Sequence, residues 1–414
     1  MTGPAHPTEP ISTKPTELLR ETEPSGSFLT EFPTVPGAVR TTVLPELAER
    51  DGQVGWVAGS RGRFRVEQRL GEGGAGEVLL ARDEDIGRLV AVKKIRPDKL
   101  SGEALARFIR EIRTVGLLEH PHIVPIHDVG VDEDGNYYFI MKYVEGRTLE
   151  ELIDRMREGD PELLEAYPFE RRVQIFYQLC EAVAFAHRRG IVHRDLKPAN
   201  VMIGRHGEVV LMDWGIAKEV REPGASRDAA AVGAALAETA GPGKKRWFST
   251  QVGTVVGTPA YMAPEQILGR PADVRSDIYS LGVLLHELLT LVHYLDGKQS
   301  VEDLIEGVLK ESPVVPTFLS KRRQCPVPAD LNWFIDRCVQ KKPERRYASV
   351  DEMLHRLDLR AQGIIPVQCP MTLVKRLTLA SGRFSERHPI ATFALFFGAL
   401  PATLGFAVYT ILTR

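Results

Sequence analysis

The stretch His193-Arg194-Asp195-Leu196-Lys197-Pro198-Ala199-Asn200 decides how the rest of this chain is read. A carboxylate, an ammonium and a carboxamide stand at positions 195, 197 and 200 of one short segment. Asp195 can orient a hydroxyl nucleophile and accept its proton. Lys197 can neutralise a phosphoryl group in transfer, and Asn200 offers an amide oxygen to Mg²⁺. Beyond them, Asp213-Trp214-Gly215 follows the apolar run Val209-Val210-Leu211-Met212. That order puts a second oxygen ligand for Mg²⁺ at a strand end.

Upstream, Gly71-Glu72-Gly73-Gly74-Ala75-Gly76-Glu77-Val78 has the spacing G-x-G-x-x-G-x-V. Taken alone, such glycines also fit a dinucleotide fold. In that fold they open a helix, whereas here they lead into the strand-like run Val78-Leu79-Leu80-Ala81. A strand–glycine loop–strand hairpin lets the backbone lie close over nucleotide phosphates. Val90-Ala91-Val92-Lys93 comes next. Lys93 is the expected ligand of the α and β phosphates. Glu111, in Arg110-Glu111-Ile112, is its expected partner, with Lys94 and Glu103 as competing assignments.

Around these motifs the patterning divides in two. Phe64-Arg65-Val66-Glu67 alternates as a half-buried strand does, and 137–144 reads as another strand. Helical spacing covers 103–118, then 172–188, 276–291, 301–310, 330–339 and 349–357. Strands first and helices later predict a two-part α+β body. Residues 1–60, with prolines at 4, 7, 10, 15, 24, 33 and 36, cannot bury enough apolar area to order themselves and read as a disordered tail. The Ala- and Gly-rich stretch 221–250 reads as a long loop.

Composition excludes several classes. The 414 residues carry 53 basic and 55 acidic side chains, a net charge of −2, which argues against a nucleic-acid-coating protein. Four cysteines without C-x-x-C spacing exclude a zinc ribbon or disulfide scaffold. Cys180 and Cys338 fall on apolar helical faces and read as core thiols. His120, His122 and His127 lack the carboxylate or thiolate company of a metal site. No secretory signal opens the chain.

The C-terminal run 390–412, IATFALFFGALPATLGFAVYTIL, contains no charge. As a helix it would span about 34 Å, which predicts a transmembrane segment kinked at Pro401. Lys375, Arg376, Arg383 and Arg387 precede it. The expectation is therefore a single-pass protein of the inner or cell membrane, with its body cytoplasmic and 360–389 as a juxtamembrane linker. Gly398, Ala402 and Gly405 would offer a homodimer surface.

Taken together, these motifs resemble the eukaryotic-type (Hanks-type) protein serine/threonine kinases, most closely their bacterial transmembrane members. The resemblance covers 64–359 and continues in order through Gly257-Thr258-Pro259-Ala260-Tyr261-Met262-Ala263-Pro264-Glu265, Ser276-Asp277-Ile278-Tyr279-Ser280-Leu281-Gly282 and Pro343-Glu344-Arg345-Arg346-Tyr347. It implies a bilobal fold, with an N-lobe over 64–144, a C-lobe over 145–359 and an activation segment over 213–265. It implies ATP and Mg²⁺ as cofactors, with Asp195, Lys197, Lys93 and Asn200 catalytic and Asn200 and Asp213 holding the metal. Leu70, Gly71, Glu72, Gly73, Gly74, Gly76, Val78, Ala91, Lys93, Glu111, Met141, Lys142, Val144, Met202 and Asp213 would line the nucleotide site. Met141 would be the gatekeeper, with the backbone of Lys142 and Val144 at adenine. Asp277 would hold the catalytic-loop backbone, Arg346 would pair with Glu265, and Thr258 would bond Asp195 and Lys197.

Protein Ser/Thr hydroxyls are the implied acceptors. Arg194 beside Asp195 implies autophosphorylation on Ser249, Thr250 or Thr254 as the switch. Three features depart from the family pattern: Trp214 where phenylalanine is usual, Lys142 where an acidic residue is common, and the long 221–250 insert. The rival readings are a pseudokinase scaffold and a small-molecule kinase of the aminoglycoside type. The Gly-Thr-Pro and Ala-Pro-Glu segments weigh against the second.

Overall fold

The computed structural model describes residues 46–50, 53–57, 62–72, 76–95, 102–132, 135–214, 258–298, 300–313, 327–365, 367 and 370–394. A two-stranded hairpin, β1 (Glu46–Arg50) and β2 (Gln53–Val57), lies within the stretch expected to be a tail. Then comes a five-stranded antiparallel sheet of β3 (Phe64–Glu72), β4 (Gly76–Asp83), β5 (Arg88–Ile95), β6 (Ile126–Val131) and β7 (Tyr137–Lys142), in spatial order β3-β4-β5-β7-β6. Helix α1 (Gly102–Gly116) interrupts it in sequence and turns Leu105, Phe108 and Val115 inward. The alternation expected at Phe64–Glu67 does not bury Val66, which is 55% exposed. Among the described residues β3 is an edge strand, paired with β4 on one side only.

A small sheet of β8 (Gly146–Thr148), β9 (Val201–Gly204) and β10 (Val209–Leu211) joins this lobe to the helical one. The helical lobe contains α2 (Leu149–Glu158), α3 (Pro161–Ala166), α4 (Phe169–His187), α5 (Pro264–Ile267), α6 (Val274–Thr290), α7 (Val301–Lys310), α8 (Ala329–Cys338) and α9 (Val350–Ala361). Local chemistry sets the helix ends. The Thr148 hydroxyl and the Glu151 carboxylate form a reciprocal cap at the start of α2, and Gly159 ends it at φ 95°, a conformation that favours glycine.

Helix α6 is buried on nearly every face, from Ser276 to Leu289, as an apolar central helix must be. Gly282 is needed there. A Cβ on it would lie 2.4 Å from Cβ of Cys338, so α6 and α8 approach only because that atom is missing.

Two further helices, α10 (Pro370–Arg387) and α11 (Pro389–Ala394), occupy the region expected to be a linker and the start of a membrane span. Lys375 of α10 pairs with Asp330 at 2.6 Å, and Arg383 donates to the carbonyls of Gln362 and Gly363 at 2.7 and 3.1 Å. The expected transmembrane helix over 390–412 is not borne out. Among the described residues no helix is long and apolar enough to cross a membrane. Helix α10 carries Lys375, Arg376, Arg383, Glu386 and Arg387, a charge load that hydrocarbon does not accept. A break at His388, where the following proline disfavours helical backbone, separates it from the short α11. Residues 395–412 lie outside the described residues.

Candidate active site

The site forms where β5, α1, the loop before β9 and the end of β10 converge. Lys93 projects from β5, its Nζ 2.6 Å from Oε1 of Glu111 on α1 and 2.9 Å from Oδ1 of Asp213. One ammonium thus serves two carboxylates. Burial works against the Lys93 charge, but Asp213 and Glu111 outweigh it and its pKa rises. The Lys93 ammonium in turn holds Asp213 below the usual carboxylate range, against burial. Lys94 pairs instead with Asp132, and the side chain of Glu103 lies outside the described residues.

The catalytic-loop candidates form a second knot. Lys197 Nζ donates to Oδ2 of Asp195 at 2.9 Å. Asn200 Nδ2 donates to the carbonyl of Asp195 at 2.9 Å and to its Oδ2 at 3.3 Å. Those bonds occupy the nitrogen of Asn200 and leave its Oδ1 as the ligand-type oxygen.

Beneath the loop, fully buried Asp277 accepts from the backbone N–H of His193 at 2.7 Å and of Arg194 at 2.8 Å, and contacts His187 Nε2 at 2.8 Å. Burial opposes its charge, yet the His187 contact and the neighbouring histidine keep its pKa low. Arg194 has φ 67° and Asp213 φ 51°. Both are non-glycine residues in left-handed conformations, which persist only where the surroundings hold them.

Trp214 is buried and its ring lies 4.7 Å from that of His193. Among the described residues, nothing accepts from its indole N–H. The seam beside it is built from main chain. Ile123 bridges Leu211 in parallel, with Leu211 N–H donating to His122 O at 2.8 Å and Val124 N–H to Leu211 O at 3.1 Å. His122 Nδ1 lies 2.9 Å from the carbonyl of Val209, so this imidazole fastens loop to strand.

On the side expected to face adenine, Ala91, Met141 and Val144 are buried, and half-buried Val78 and Met202 pack against the same cluster. Ala91 is paired with Met141 across β5 and β7, and Val78 with Lys93 across β4 and β5. Lys142 is exposed at the end of β7, and its N–H donates to Pro125 O at 3.1 Å. Leu70, Gly71 and Glu72 lie on exposed β3. Gly76 is explained by packing alone: a Cβ there would come within 2.2 Å of the Lys94 carbonyl oxygen. Gly73, Gly74, Ser249, Thr250 and Thr254, and the side chain of Thr258, lie outside the described residues.

At the far end of the expected segment, Arg346 grips Glu265 in a two-pronged pair at 2.7 and 2.9 Å, and Ser276 Oγ adds a 2.6 Å bond to Glu265 Oε1. Burial alone would raise the Glu265 pKa, but Arg346 brings it below the ordinary value. Sequence reasoning missed Gln266. Its Oε1 accepts from Ala263 N–H at 2.9 Å and its Nε2 donates to the Arg194 carbonyl at 3.0 Å. It also missed His187, since nothing in a helical stretch marks which histidine will reach a buried carboxylate.

The donor set suits Mg²⁺. Asn200 Oδ1 and the Asp213 carboxylate are hard oxygen ligands, and two protein ligands completed by phosphate oxygens and water is how this ion is usually held. Among the described residues, no group of three or more His, Cys, Asp or Glu side chains could hold a metal by itself.

A strand-rich lobe that supplies a paired lysine, set against a helical lobe that supplies Asp195, Asn200 and Asp213, is the arrangement that phosphoryl transfer calls for. Residues 64–357 match the family described as the protein kinase domain, and the chain belongs to that family, as a bacterial Hanks-type serine/threonine member. It is 36% identical over 305 residues to serine/threonine-protein kinase PknD of Protochlamydia amoebophila, covering 72% of this chain and 30% of that protein. It is 33% identical over 347 residues to PknD of Chlamydia felis, covering 82% of this chain and 35% of the relative. To a probable serine/threonine-protein kinase of Streptomyces coelicolor it is 36% identical over 304 residues, 72% of this chain and 40% of that one. The chain spans about a third of the length of these curated relatives.

Proposed function

We propose that this chain transfers the γ-phosphoryl group of ATP to serine or threonine hydroxyls of proteins, with Mg²⁺ as the required ion. The observation that carries the reading is the convergence of Lys93, Glu111 and Asp213 across the lobes, 2.6 and 2.9 Å apart, beside the Asp195–Lys197–Asn200 knot. Lys93 holds the α and β phosphates, kept charged and oriented by Glu111. Asn200 Oδ1 and the Asp213 carboxylate would hold Mg²⁺, which when bound would supply positive charge against the phosphates. The Asp195 carboxylate orients the acceptor hydroxyl and takes its proton. Lys197, bonded to the same carboxylate, neutralises the group in transfer. The protein contributes positioning and fixed charge rather than covalent chemistry. Phosphorylation of Ser249, Thr250 or Thr254 by the chain itself is the regulation this reading includes, since Arg194 sits beside Asp195 to receive the added charge.

The test incubates the full chain and its Asp195→Asn variant with labelled ATP, Mg²⁺ and a generic acceptor protein. Label on serine or threonine is expected from the unmodified chain only and is expected to vanish with a chelator. Equal label from both proteins, or none from either, would count against the proposal.

A further inference from the structure

We infer that Gln266 is a positioning residue for Asp195, a role that rests on the kinase reading above. The peptide unit linking Arg194 to Asp195 carries the nucleophile-orienting carboxylate. Its carbonyl accepts from Gln266 Nε2 at 3.0 Å, and its N–H, on Asp195, faces His193 Nδ1 at 3.3 Å. One residue earlier, the Arg194 N–H is held by Asp277 at 2.8 Å. Arg194 adopts φ 67°, so without such restraints the unit would relax toward ordinary backbone and rotate Asp195 with it.

The orientation of the Gln266 amide follows from its partners. Oε1 accepts from the Ala263 N–H, so Nε2 is the end that faces Arg194. Gln266 is itself fixed, because its neighbour Glu265 is clamped by Arg346 and Ser276. Gln266 therefore carries the seating of the 263–267 turn directly to the peptide plane beneath Asp195. When that turn is out of place, the plane loses one of its two anchors.

Two variants separate this role from simple support of the turn. Gln266→Met removes both bonds. Gln266→Glu keeps the acceptor for Ala263 N–H and removes the donor toward Arg194. In the full chain, each is expected to lower kcat roughly tenfold or more, with KM for ATP within about twofold, because a small misplacement of a reacting group is costly while nucleotide contacts are untouched. Wild-type kcat in both, or a loss in Gln266→Met alone, would overturn the inference. Amide hydrogen exchange over 193–196, on the same proteins, reads the geometry independently of activity. Both variants should exchange faster there, and unchanged exchange defeats the positioning role. A wild-type chain that transfers no phosphoryl group defeats the kinase reading instead, and the exchange result then judges Gln266 by itself.

Discussion

Two charge clusters in this protein have bonds of nearly the same length and opposite character. Around Lys93 one cation faces two carboxylates, and Asp213 is 53% exposed. Around Arg346 one cation faces one carboxylate, and the guanidinium is fully buried. The distances, 2.6 to 2.9 Å in both, do not separate them. Stoichiometry and access do. The first cluster has a carboxylate in excess, open to solvent, and can take up another cation. The second is balanced and sealed, further satisfied by Ser276 and by the carbonyls of Gln340, Lys341 and Arg275, and can only hold structure together.

The sharpest way to break this comparison is to remove each cation. Lys93→Met should lower phosphoryl transfer by about 100-fold or more, the scale of losing one preorganised charge, and should cost less in urea unfolding than the Arg346 change, because Lys93 and Glu111 keep some contact with solvent. A large loss of stability would place Lys93 in the same class as Arg346. Arg346→Met should cost about 3–5 kcal/mol in urea unfolding, because it leaves a buried carboxylate unpaired. Replacing Glu265 by leucine in the same protein should recover only part of that, since the three carbonyls also lose their donor. Full recovery would show that the ion pair alone mattered.

Smaller changes refine the sealed side. Ser276→Ala removes the bond to the Glu265 carboxylate and the long 3.3 Å bond from the Asp273 N–H, and should cost about 1.5–3 kcal/mol, less than the arginine change. If it costs as much, the carboxylate depends on the hydroxyl as heavily as on the guanidinium.

Acid should act here with a defined sign. Burial lowers the pKa of His293, which packs 5.0 Å from the Tyr261 ring, to about 3. Its folded pKa lies below the unfolded value, so its contribution is complete above about pH 6.5 and is lost as pH falls toward 3. Urea midpoints of the wild type should therefore drop between pH 7 and 5. His293→Phe should flatten that slope by no more than one proton, about 1.4 kcal/mol per pH unit. An unchanged slope would assign the acid sensitivity to other groups.

Much of this was legible in the chain because motif order stands in for spatial neighbourhood. Glu265 and Arg346 are 81 residues apart and meet, and Lys93 and Glu111 are 18 apart and meet. What stayed hidden depends on geometry that no pattern encodes. The left-handed backbone of Arg194 and the reach of Gln266 to its carbonyl exist only once the turn and the loop are folded together. The 390–412 reading counted apolar residues and took the stretch before it as linker. In the structure that stretch is a charged helix fastened to Asp330, and the backbone breaks before Pro389. The hairpin at 46–57 escaped notice because Pro-rich surroundings masked a short strand pair.

The parallel bridge between Ile123 and Leu211 has a mechanical meaning. It joins the chain leaving α1 to the strand that ends just before Asp213, so backbone hydrogen bonds tie the two lobes at a point that can serve as a pivot. If the sheet swings about that pivot, points on its axis stay still and those farther out sweep an arc. Asp213 is near the axis, whereas Lys93 rides on the moving arm. Opening the cleft would thus part the lysine from the carboxylate while Asn200 and Asp213 kept their relative places, and closing it would be the stroke that brings the charges back together.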